Sequence, residues 1–265
     1  MASQVPAPRR IGIIIPACNE EACLGRVLQE LLGMLDSEKY VIAVGVNNSD
    51  DRTTEIARAY PVIVAETEAR GYGYGCVAAI KALTEAVPMV GAYVFFAGDG
   101  ASDPRDVALL ATAHEQGYAM VLGARTFRGS NWRTMRASHV LANFALAMWC
   151  GLLGGRWFTD LAPLRIIDRR LFEALALREM TFGWTIEAQI GAALLKASIC
   201  EVPAHERDRL GGEQKVSGVT WDRTFSIGCR ILAAGWRAKL RFGKGARTPS
   251  RCPPAELVVE AGPAR

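Results

Sequence analysis

The sequence predicts an α/β fold with a mainly parallel, Rossmann-like sheet flanked by helices, and two observations support this prediction. Up to about residue 123, short runs rich in Val and Ile alternate with stretches of about 10 to 15 residues whose apolar positions have helical spacing. The short runs are apolar on both faces, as strands are when helices cover both sides of a parallel sheet. Ligands of such sheets bind at the carboxyl ends of the strands, so the loops that begin at residues 16, 47, 66 and 97 should converge on one crevice.

Each element is predicted from its own pattern. The first strand is Ile11 to Ile15, ended by Pro16, and the helix after it carries apolar residues from Leu24 to Leu32. The later strands are predicted at 40–46, 62–65, 90–96, 119–122, 164–167 and 198–202. The later helices are predicted at 51–59, 74–86, 104–116 and 138–153, from residue 168, and at 185–196.

By composition the chain divides into four segments. A lead at 1–9 and a tail at 244–265 are expected to be flexible, and between them lie an α/β domain at 10–217 and an amphipathic basic helix at 218–243. The last 43 residues carry nine Lys and Arg against two Glu. With the apolar residues interleaved near Trp221 and Trp236, this is typical of a cationic helix on an anionic membrane surface; a solvated basic face is the alternative.

The composition of the 265 residues excludes several classes of protein. Half are apolar and 22% are charged, which rules out a disordered chain. A net charge of +4 is too balanced for a general nucleic-acid binder, so no nucleic acid is expected as a partner. Seven scattered cysteines indicate reduced thiols of a cytoplasmic protein, and the N-terminus does not resemble a signal peptide. The uncharged stretch at 140–153 is shorter than the roughly 20 residues that span a bilayer, so its helix should be buried or lie at an interface.

Polar residues follow the first two strands. Glu20 can stabilise a helix N-terminus and can also accept a hydrogen bond from a nucleobase or a ribose. Asn48, Ser49 and Asp50 are candidate N-caps of the next helix. Plain capping turns therefore remain an alternative to nucleotide binding at both loops.

The next two loops suggest a diphosphate and a metal ion. The run Arg70-Gly-Tyr-Gly-Tyr-Gly75 is similar to a dinucleotide fingerprint, but it follows the third strand and lacks the acidic partner, which excludes NAD. Its flexible backbone and Arg70 would suit a diphosphate. Asp99 and Asp103 place carboxylates in the crevice, where they could hold Mg²⁺ or Mn²⁺ on that diphosphate. For Asp103 the alternative is a cap on the following helix.

Eight motifs together resemble one enzyme family. They are IIIPACNE, VNNSDDRT, RGYGYG, AGDGASDP, GART, TDLAPLRII, FGWTIEAQI and EVPAHERDRLGGEQKVSG. In this order and spacing, over roughly residues 9 to 240, they resemble the family 2 glycosyltransferases of the GT-A fold, and among these the dolichyl- or polyprenyl-phosphate sugar synthases.

The resemblance implies a role for individual residues. Those near the nucleotide of a UDP- or GDP-sugar would be Pro16, Asn19, Glu20, Asn48, Arg70, Gly71 and Asp99. Asp99 matches the second Asp of the family's DxD motif, which reaches the metal. Those that meet the acceptor phosphate would be Arg125, Arg133 and Arg207. The resemblance also implies a catalytic set, which consists of Asp99, Asp160, Glu187, Arg125, Arg209 and Lys215. Arg207, Arg209 and Lys215 match the pattern of the family's closing loop over the diphosphate.

Four departures from the family pattern bear on the chemistry. Ala97 occupies the first DxD position, Cys18 stands where an aromatic residue is common, Asn47-Asn48 replaces an Asp pair, and Gln214 replaces a Ser. One carboxylate fewer weakens metal binding unless Asp103 compensates or the diphosphate holds the cation.

The expected activity is inverting transfer of a sugar from the nucleotide to a polyprenyl phosphate or related lipid phosphate, at the inner face of the membrane. An acceptor phosphate is already anionic, so it needs positioning and charge neutralisation rather than a strong base. With a soluble hydroxyl acceptor, Asp160 or Glu187 would have to remove a proton; each could instead be a buried, Arg-paired structural carboxylate. A non-catalytic nucleotide-sugar-binding subunit is a third reading, favoured by Ala97, and a homo-oligomer is left open.

Overall fold

The computed structural model describes residues 10–127, 131, 137–211 and 221–243. The predicted lead at 1–9 and tail at 244–265 lie outside these residues. Within them, seven strands form one sheet in the order β3-β2-β1-β4-β6-β5-β7. Strand β6 is antiparallel to β4 and β5, and the other pairs are parallel. The strands are Arg10–Ala17 (β1), Tyr40–Asn47 (β2), Ile63–Thr67 (β3), Val90–Phe95 (β4), Met120–Ala124 (β5), Arg165–Asp168 (β6) and Ile199–Pro203 (β7).

The helices alternate with the strands as the sequence predicts. Those in the described residues are Leu24–Met34 (α1), Thr53–Arg58 (α2), Tyr72–Ala86 (α3), Arg105–Glu115 (α4), Ala137–Gly154 (α5), Arg169–Leu175 (α6), Trp184–Leu194 (α7) and Trp221–Gly243 (α8). The predicted mainly parallel α/β class is confirmed.

One predicted boundary is wrong, because β1 continues through Pro16 to Ala17 instead of ending before the proline. Strand β1 pairs with β4 only as far as Ile14 opposite Phe95, whereas its pairing with β2 continues to Ala17. Beyond Ile14 the strand has a single neighbour, where a residue without an N–H is tolerated.

Apolar side chains fill both faces of the sheet. Ile13, Ile15 and Val94 pack with α1 and α4, while Ile14 and Phe95 pack with α3 and α7 on the other face. The ring of Phe95 lies 6.2 Å, edge to face, from the ring of Trp184 at the start of α7. The two faces bury each strand on both sides, which explains the unbroken apolar runs in the sequence.

Helix α3 lies unusually close to the sheet at a pair of glycines. A methyl group on Gly45 of β2 would lie 1.9 Å from the carbonyl oxygen of Gly75, and one on Gly73 would lie 2.5 Å from the ring of Trp184. Gly73 and Gly75 are therefore packing residues of α3, which begins at Tyr72 instead of the predicted residue 74, and the flexible backbone expected over the whole run 70–75 is wrong for them. Of the three glycines in the run 70–75, only Gly71, with φ of 149°, has a backbone conformation that favours glycine.

The predicted basic helix is α8, and one face of it joins the helical layer. Ala234, Ala238 and Phe242 are buried, and the helix packs against α7 and α5. Arg241 pairs with the buried Glu187, and the more exposed Arg237 pairs with Glu179. In the described residues, no helix combines the length and the apolar character needed to cross a membrane.

Replacing Gly45 by alanine should destabilise the fold by about 3 kcal/mol, the upper end of the usual cost of overpacking, because the added methyl meets a backbone carbonyl rather than a flexible side chain. The matched control is Gly33→Ala near the end of α1, where a methyl meets nothing within 4 Å and should leave stability unchanged or slightly raised. Urea denaturation of both variants measures the difference; equal free energies of unfolding would contradict the close packing of α3 on β2.

Candidate active site

The loops after β1 and β2 are joined at the carboxyl edge of the sheet. Asn19 donates its backbone N–H to Ser49 Oγ at 3.0 Å and accepts the N–H of Asp50 on its side-chain oxygen at 2.8 Å. Glu20 donates its backbone N–H to Thr53 Oγ1 at 2.8 Å. Asn19 and Asn48 have φ of 53° and 49°, a left-handed conformation that asparagine tolerates well. Hydrogen bonds therefore join the two predicted nucleotide-binding loops to each other.

The start of α2 is capped by a different residue from those predicted. Asp51 Oδ1, rather than Asn48, Ser49 or Asp50, accepts the N–H of Thr53 at 3.0 Å. The other three side chains line a pocket of about 450 Å³ at the carboxyl ends of β2 and β3. The pocket is lined by Val46, Asn48, Ser49, Asp50, Thr54, Glu66, Thr67 and Glu68.

The contacts of Asn47 explain why asparagine replaces the first Asp of the family's Asp pair. It is buried, and its side-chain amide donates to the carbonyl of Gly71 at 3.2 Å, which a carboxylate could not do. A methyl on Gly71 would lie 2.5 Å from the carbonyl oxygen of Met180. Arg70, one residue earlier, is exposed beside the crevice loops.

Asp99, Glu20 and Arg209 meet in the structure. Arg209 places one guanidinium nitrogen 3.5 Å from Asp99 Oδ2 and the other 3.4 Å from Glu20 Oε2. Backbone hydrogen bonds hold the arginine there: Leu210 donates to the carbonyl of Asp99 at 3.1 Å and Arg207 to that of Ala101 at 2.8 Å. Residues distant in sequence thus meet as the sequence predicts, and the diphosphate assigned to them stays a prediction.

Asp103 makes the capping contact that was its alternative role. It is buried and accepts the N–H of Arg105 at 2.9 Å, and the Arg105 side chain pairs with it at 2.6 Å. The hydrogen bond from Arg105 lowers the pKa of Asp103. Among residues 10–127, 131, 137–211 and 221–243, no three His, Cys, Asp or Glu side chains are grouped to hold a metal ion.

The other basic residues predicted to bind phosphate do not join Arg209 in the described structure. Arg207 turns from the crevice to Glu30 of α1 at 2.9 Å and to the carbonyl of Ser102 at 2.8 Å. Arg133 and Lys215, predicted for the acceptor phosphate and the closing loop, lie outside the described residues, as does Gln214.

A second ionic cluster joins the end of β5 to the start of β6. Arg125 pairs with Asp160 through two side-chain contacts, at 2.8 and 2.9 Å, and donates its backbone N–H to the same carboxylate at 2.8 Å. It also lies 3.3 Å from Glu206, which follows β7. Asp160 has no exposed surface, and Arg125 is 15% exposed at its side chain.

Burial and charge oppose each other in this cluster. Burial raises the pKa of Asp160, but hydrogen bonds and charge from Arg125 outweigh it, and the net shift is downward. For Glu206, burial raises the pKa and exceeds the effect of Arg125. Asp160 is therefore a firmly ionised partner of Arg125.

Glu187 is likewise a buried, Arg-paired carboxylate. Arg241 of α8 pairs with it at 2.7 Å, and the N–H groups of Arg178 and Glu179 donate to its other oxygen at 2.8 Å. The contacts of Asp160 and Glu187 are those of buried structural carboxylates paired with arginine, which was the alternative to a catalytic role. Their catalytic role stays a prediction.

Sequence reasoning missed Glu206 and Arg165. Arg165 opens β6, is 1% exposed, and donates to Thr185 Oγ1 at 3.2 Å; one of its guanidinium nitrogens has no hydrogen-bond partner, and it forms no ion pair in the described part of the chain. Burial lowers its pKa. An arginine inside the apolar run Leu164 to Ile167 was the available signal. Glu206 gave none, since its partner is 81 residues away.

The geometry agrees with sequence comparisons. The profile of glycosyl transferase family 2 matches residues 12–179. This chain belongs to that family. A dolichyl-phosphate hexose transferase of Haloferax volcanii is 30% identical over 202 residues, which are 76% of this chain and 84% of that protein. An uncharacterized protein of Methanocaldococcus jannaschii is 30% identical over 152 residues, which are 57% of this chain and 60% of that protein.

Solved structures give the same fold. Glucosyl-3-phosphoglycerate synthase from Mycobacterium tuberculosis, in complex with Mn²⁺, UDP-glucose and phosphoglyceric acid, has a TM-score of 0.62 at 18% identity, covering 88% of this chain and 80% of that one. Its complex with Mn²⁺, UDP and phosphoglyceric acid has a TM-score of 0.63 at 17% identity, covering 92% and 81%. The predicted GT-A fold and glycosyltransferase class are confirmed.

Replacing Asp160 by asparagine should destabilise this glycosyltransferase by about 3 kcal/mol, the lower end of the usual cost of breaking a buried pair, because Glu206 still faces Arg125. The control Glu173→Gln breaks an exposed pair with Arg169 and should cost less than about 0.5 kcal/mol.

The same pair of proteins gives a pH test. Since the pKa of Asp160 is lowered from its usual 3.8, the advantage of wild type over Asp160→Asn should be full above that pH and decline as the pH falls through the folded-state value. Chemical denaturation from pH 7 to pH 3 measures it, and a difference that grows toward low pH would contradict the assigned pair.

Proposed function

We propose that this chain transfers a sugar from a UDP- or GDP-sugar to a lipid phosphate such as a polyprenyl phosphate, in one displacement that inverts the anomeric carbon. The observation that carries the proposal is the junction of a charged crevice with an apolar, outward-facing helix. Asn143 of α5 accepts the N–H of Leu161 at 3.1 Å and lies 3.5 Å from the guanidinium of Arg125. A phosphate at Arg125 would therefore have apolar surface beside it for a lipid chain.

That apolar surface consists of two adjacent helices. Its α5 residues recur every three or four positions and are 43 to 75% exposed: Leu141, Phe144, Met148 and Leu152. Its α8 residues recur every four positions: Leu232, Trp236 and Leu240. Exposed apolar stripes of this extent are typical of membrane or partner surfaces, and the exposed Arg230 of α8 suits an anionic bilayer.

Similarity to the dolichyl-phosphate hexose transferase of Haloferax volcanii supports the same acceptor class. The neighbouring fold of glucosyl-3-phosphoglycerate synthase, whose name gives a small phosphorylated acceptor, shares too little sequence to carry an acceptor over.

On the donor side, we assign the nucleoside to the pocket at the ends of β2 and β3. Asn48, Ser49 and Asp50 offer hydrogen-bonding groups to a base or ribose, and Pro16, Asn19 and Glu20 form the adjoining wall in this proposal. Arg70 and Gly71 continue from the pocket toward the diphosphate.

The residues fit a divalent cation carried by the diphosphate. Asp99 is 23% exposed, whereas Asp103 is buried against Arg105, so Asp99 is the carboxylate available. Mg²⁺ and Mn²⁺ are commonly held by one or two carboxylates together with substrate phosphates. When bound, such an ion neutralises the charge that develops on the departing nucleoside diphosphate.

The chain's own residues orient two anions. An oxygen of the acceptor phosphate forms the new bond to the anomeric carbon, and the sugar–diphosphate bond breaks with its electron pair leaving on the nucleoside diphosphate. We assign Arg125 and Arg133 to the acceptor, Arg209 and Lys215 to the diphosphate, and Arg207 to holding the loop against α1. No proton needs to be removed, so we assign Asp160 to positioning Arg125, and Glu187 to holding α8 against α7 through Arg241.

The acceptor is tested by incubating the protein with Mn²⁺, a panel of labelled UDP- and GDP-sugars, and either polyprenyl phosphate or the matching polyprenol. We expect transfer to the phosphate alone. Asp99→Asn should lower turnover at least about 100-fold, whereas Asp168→Asn, at the opposite edge of the sheet, should not, since asparagine also caps a helix. Transfer to the hydroxyl of the polyprenol or of a soluble alcohol would contradict the proposal, as would the absence of nucleotide-sugar binding by folded protein.

The membrane surface is tested by sedimentation with vesicles of phosphatidylglycerol and phosphatidylcholine. The double variant Leu141→Gln, Leu152→Gln should lower the partition coefficient between vesicle and water at least about tenfold. The reason is that each leucine buried in the bilayer contributes about 1.5 to 3 kcal/mol. Met34→Gln alters an apolar residue that is 56% exposed on the opposite face of the sheet and should bind as wild type does. Equal binding by all three proteins would rule out this surface.

A further inference from the structure

We propose that Arg209 is an internal counter-ion that keeps a free divalent cation off Asp99, so that cation and nucleoside diphosphate bind only together. The proposal rests on the proposed function for the identity of these two ligands, and it adds that the binding of each depends on the other.

The first step is the position of the guanidinium. It lies between two carboxylates, 3.5 Å from Asp99 and 3.4 Å from Glu20. The remaining oxygen of Asp99 accepts the N–H of Ala101 at 3.0 Å. A cation that approaches Asp99 alone therefore meets a positive charge already placed there.

The second step is that the backbone fixes this placement. Residues 206–210 lie along the loop 99–102, joined by the bridge between Ser102 and Glu206 and by the hydrogen bonds from Arg207 and Leu210. Leu210 covers Gly100, where a methyl would lie 2.5 Å from the leucine side chain. The arginine cannot leave Asp99 by loop motion without breaking these contacts, so its side chain must turn instead.

The third step is what makes it turn. A guanidinium binds phosphate oxygens through paired hydrogen bonds, which gives Arg209 a better partner when a diphosphate arrives. The cation on that diphosphate then takes the place of the arginine at Asp99. The diphosphate thus provides a new partner for Arg209, and the cation provides a new partner for Asp99. Neither ligand gains all of its contacts when it binds alone.

The test is Mn²⁺ binding, followed by electron paramagnetic resonance of the free ion, in the absence and presence of UDP. For Arg209→Gln we expect affinity for Mn²⁺ alone to rise about tenfold, since a like charge at this distance alters binding of a cation to a carboxylate by about that factor. In the UDP complex the side chain of Arg209 has already turned from Asp99 in this proposal, so affinity for Mn²⁺ there should be unchanged and the coupling between Mn²⁺ and UDP should fall by the same factor. Arg209→Lys keeps the charge and should keep the low affinity for Mn²⁺ alone.

Two controls locate the effect. Arg52→Gln removes an exposed arginine paired with Glu55 and should change nothing. Adding Asp99→Asn to Arg209→Gln should abolish the gain. Unchanged or weaker Mn²⁺ binding by folded Arg209→Gln would overturn the inference, even where UDP binds normally; failure of UDP to bind the wild type at all would instead contradict the proposed function.

Discussion

The site depends on mutual neutralisation of charges that the parallel sheet brings to one edge. The loops that follow parallel strands lie at the same edge of the sheet, and here those loops carry carboxylates and arginines. Arg125 balances Asp160 and Glu206, while Arg209 balances Asp99 and Glu20. Buried charges without partners are costly, so the pairs stabilise the ligand-free fold and also hold its functional groups in place.

The single antiparallel strand extends this edge. Because β6 runs against β4 and β5, its start rather than its end lies beside the carboxyl ends of the other strands. Asp160, which precedes β6, can therefore reach Arg125, which follows β5. Asn143 links the same pair to α5, so the orientation of an exterior helix is coupled to the charge cluster at the crevice.

The sequence was sufficient for the order of elements, because period-2 and period-3.6 patterns are local. It was also sufficient for the meeting of Glu20, Asp99 and Arg209, because the topology brings their loops together. It could not choose between Arg207 and Arg209 for the crevice, since the choice depends on Glu30 being within reach of one of them. Nor could it assign Gly75 to packing, because the close approach to Gly45 is a contact between distant segments.

The pairing of Asp160 with Arg125 bears on the acceptor through the proton affinity of the Asp160 carboxylate. A general base must accept a proton near neutral pH, and a carboxylate is least able to do so when an arginine holds its charge. The lowered pKa of Asp160 places it in that class. An acceptor that is already ionised removes the requirement, because its oxygen carries the charge needed for attack. Arg125, which makes Asp160 a poor base, is also the arginine that we assign to the acceptor phosphate, so the pairing of Asp160 is consistent with the proposed anionic acceptor.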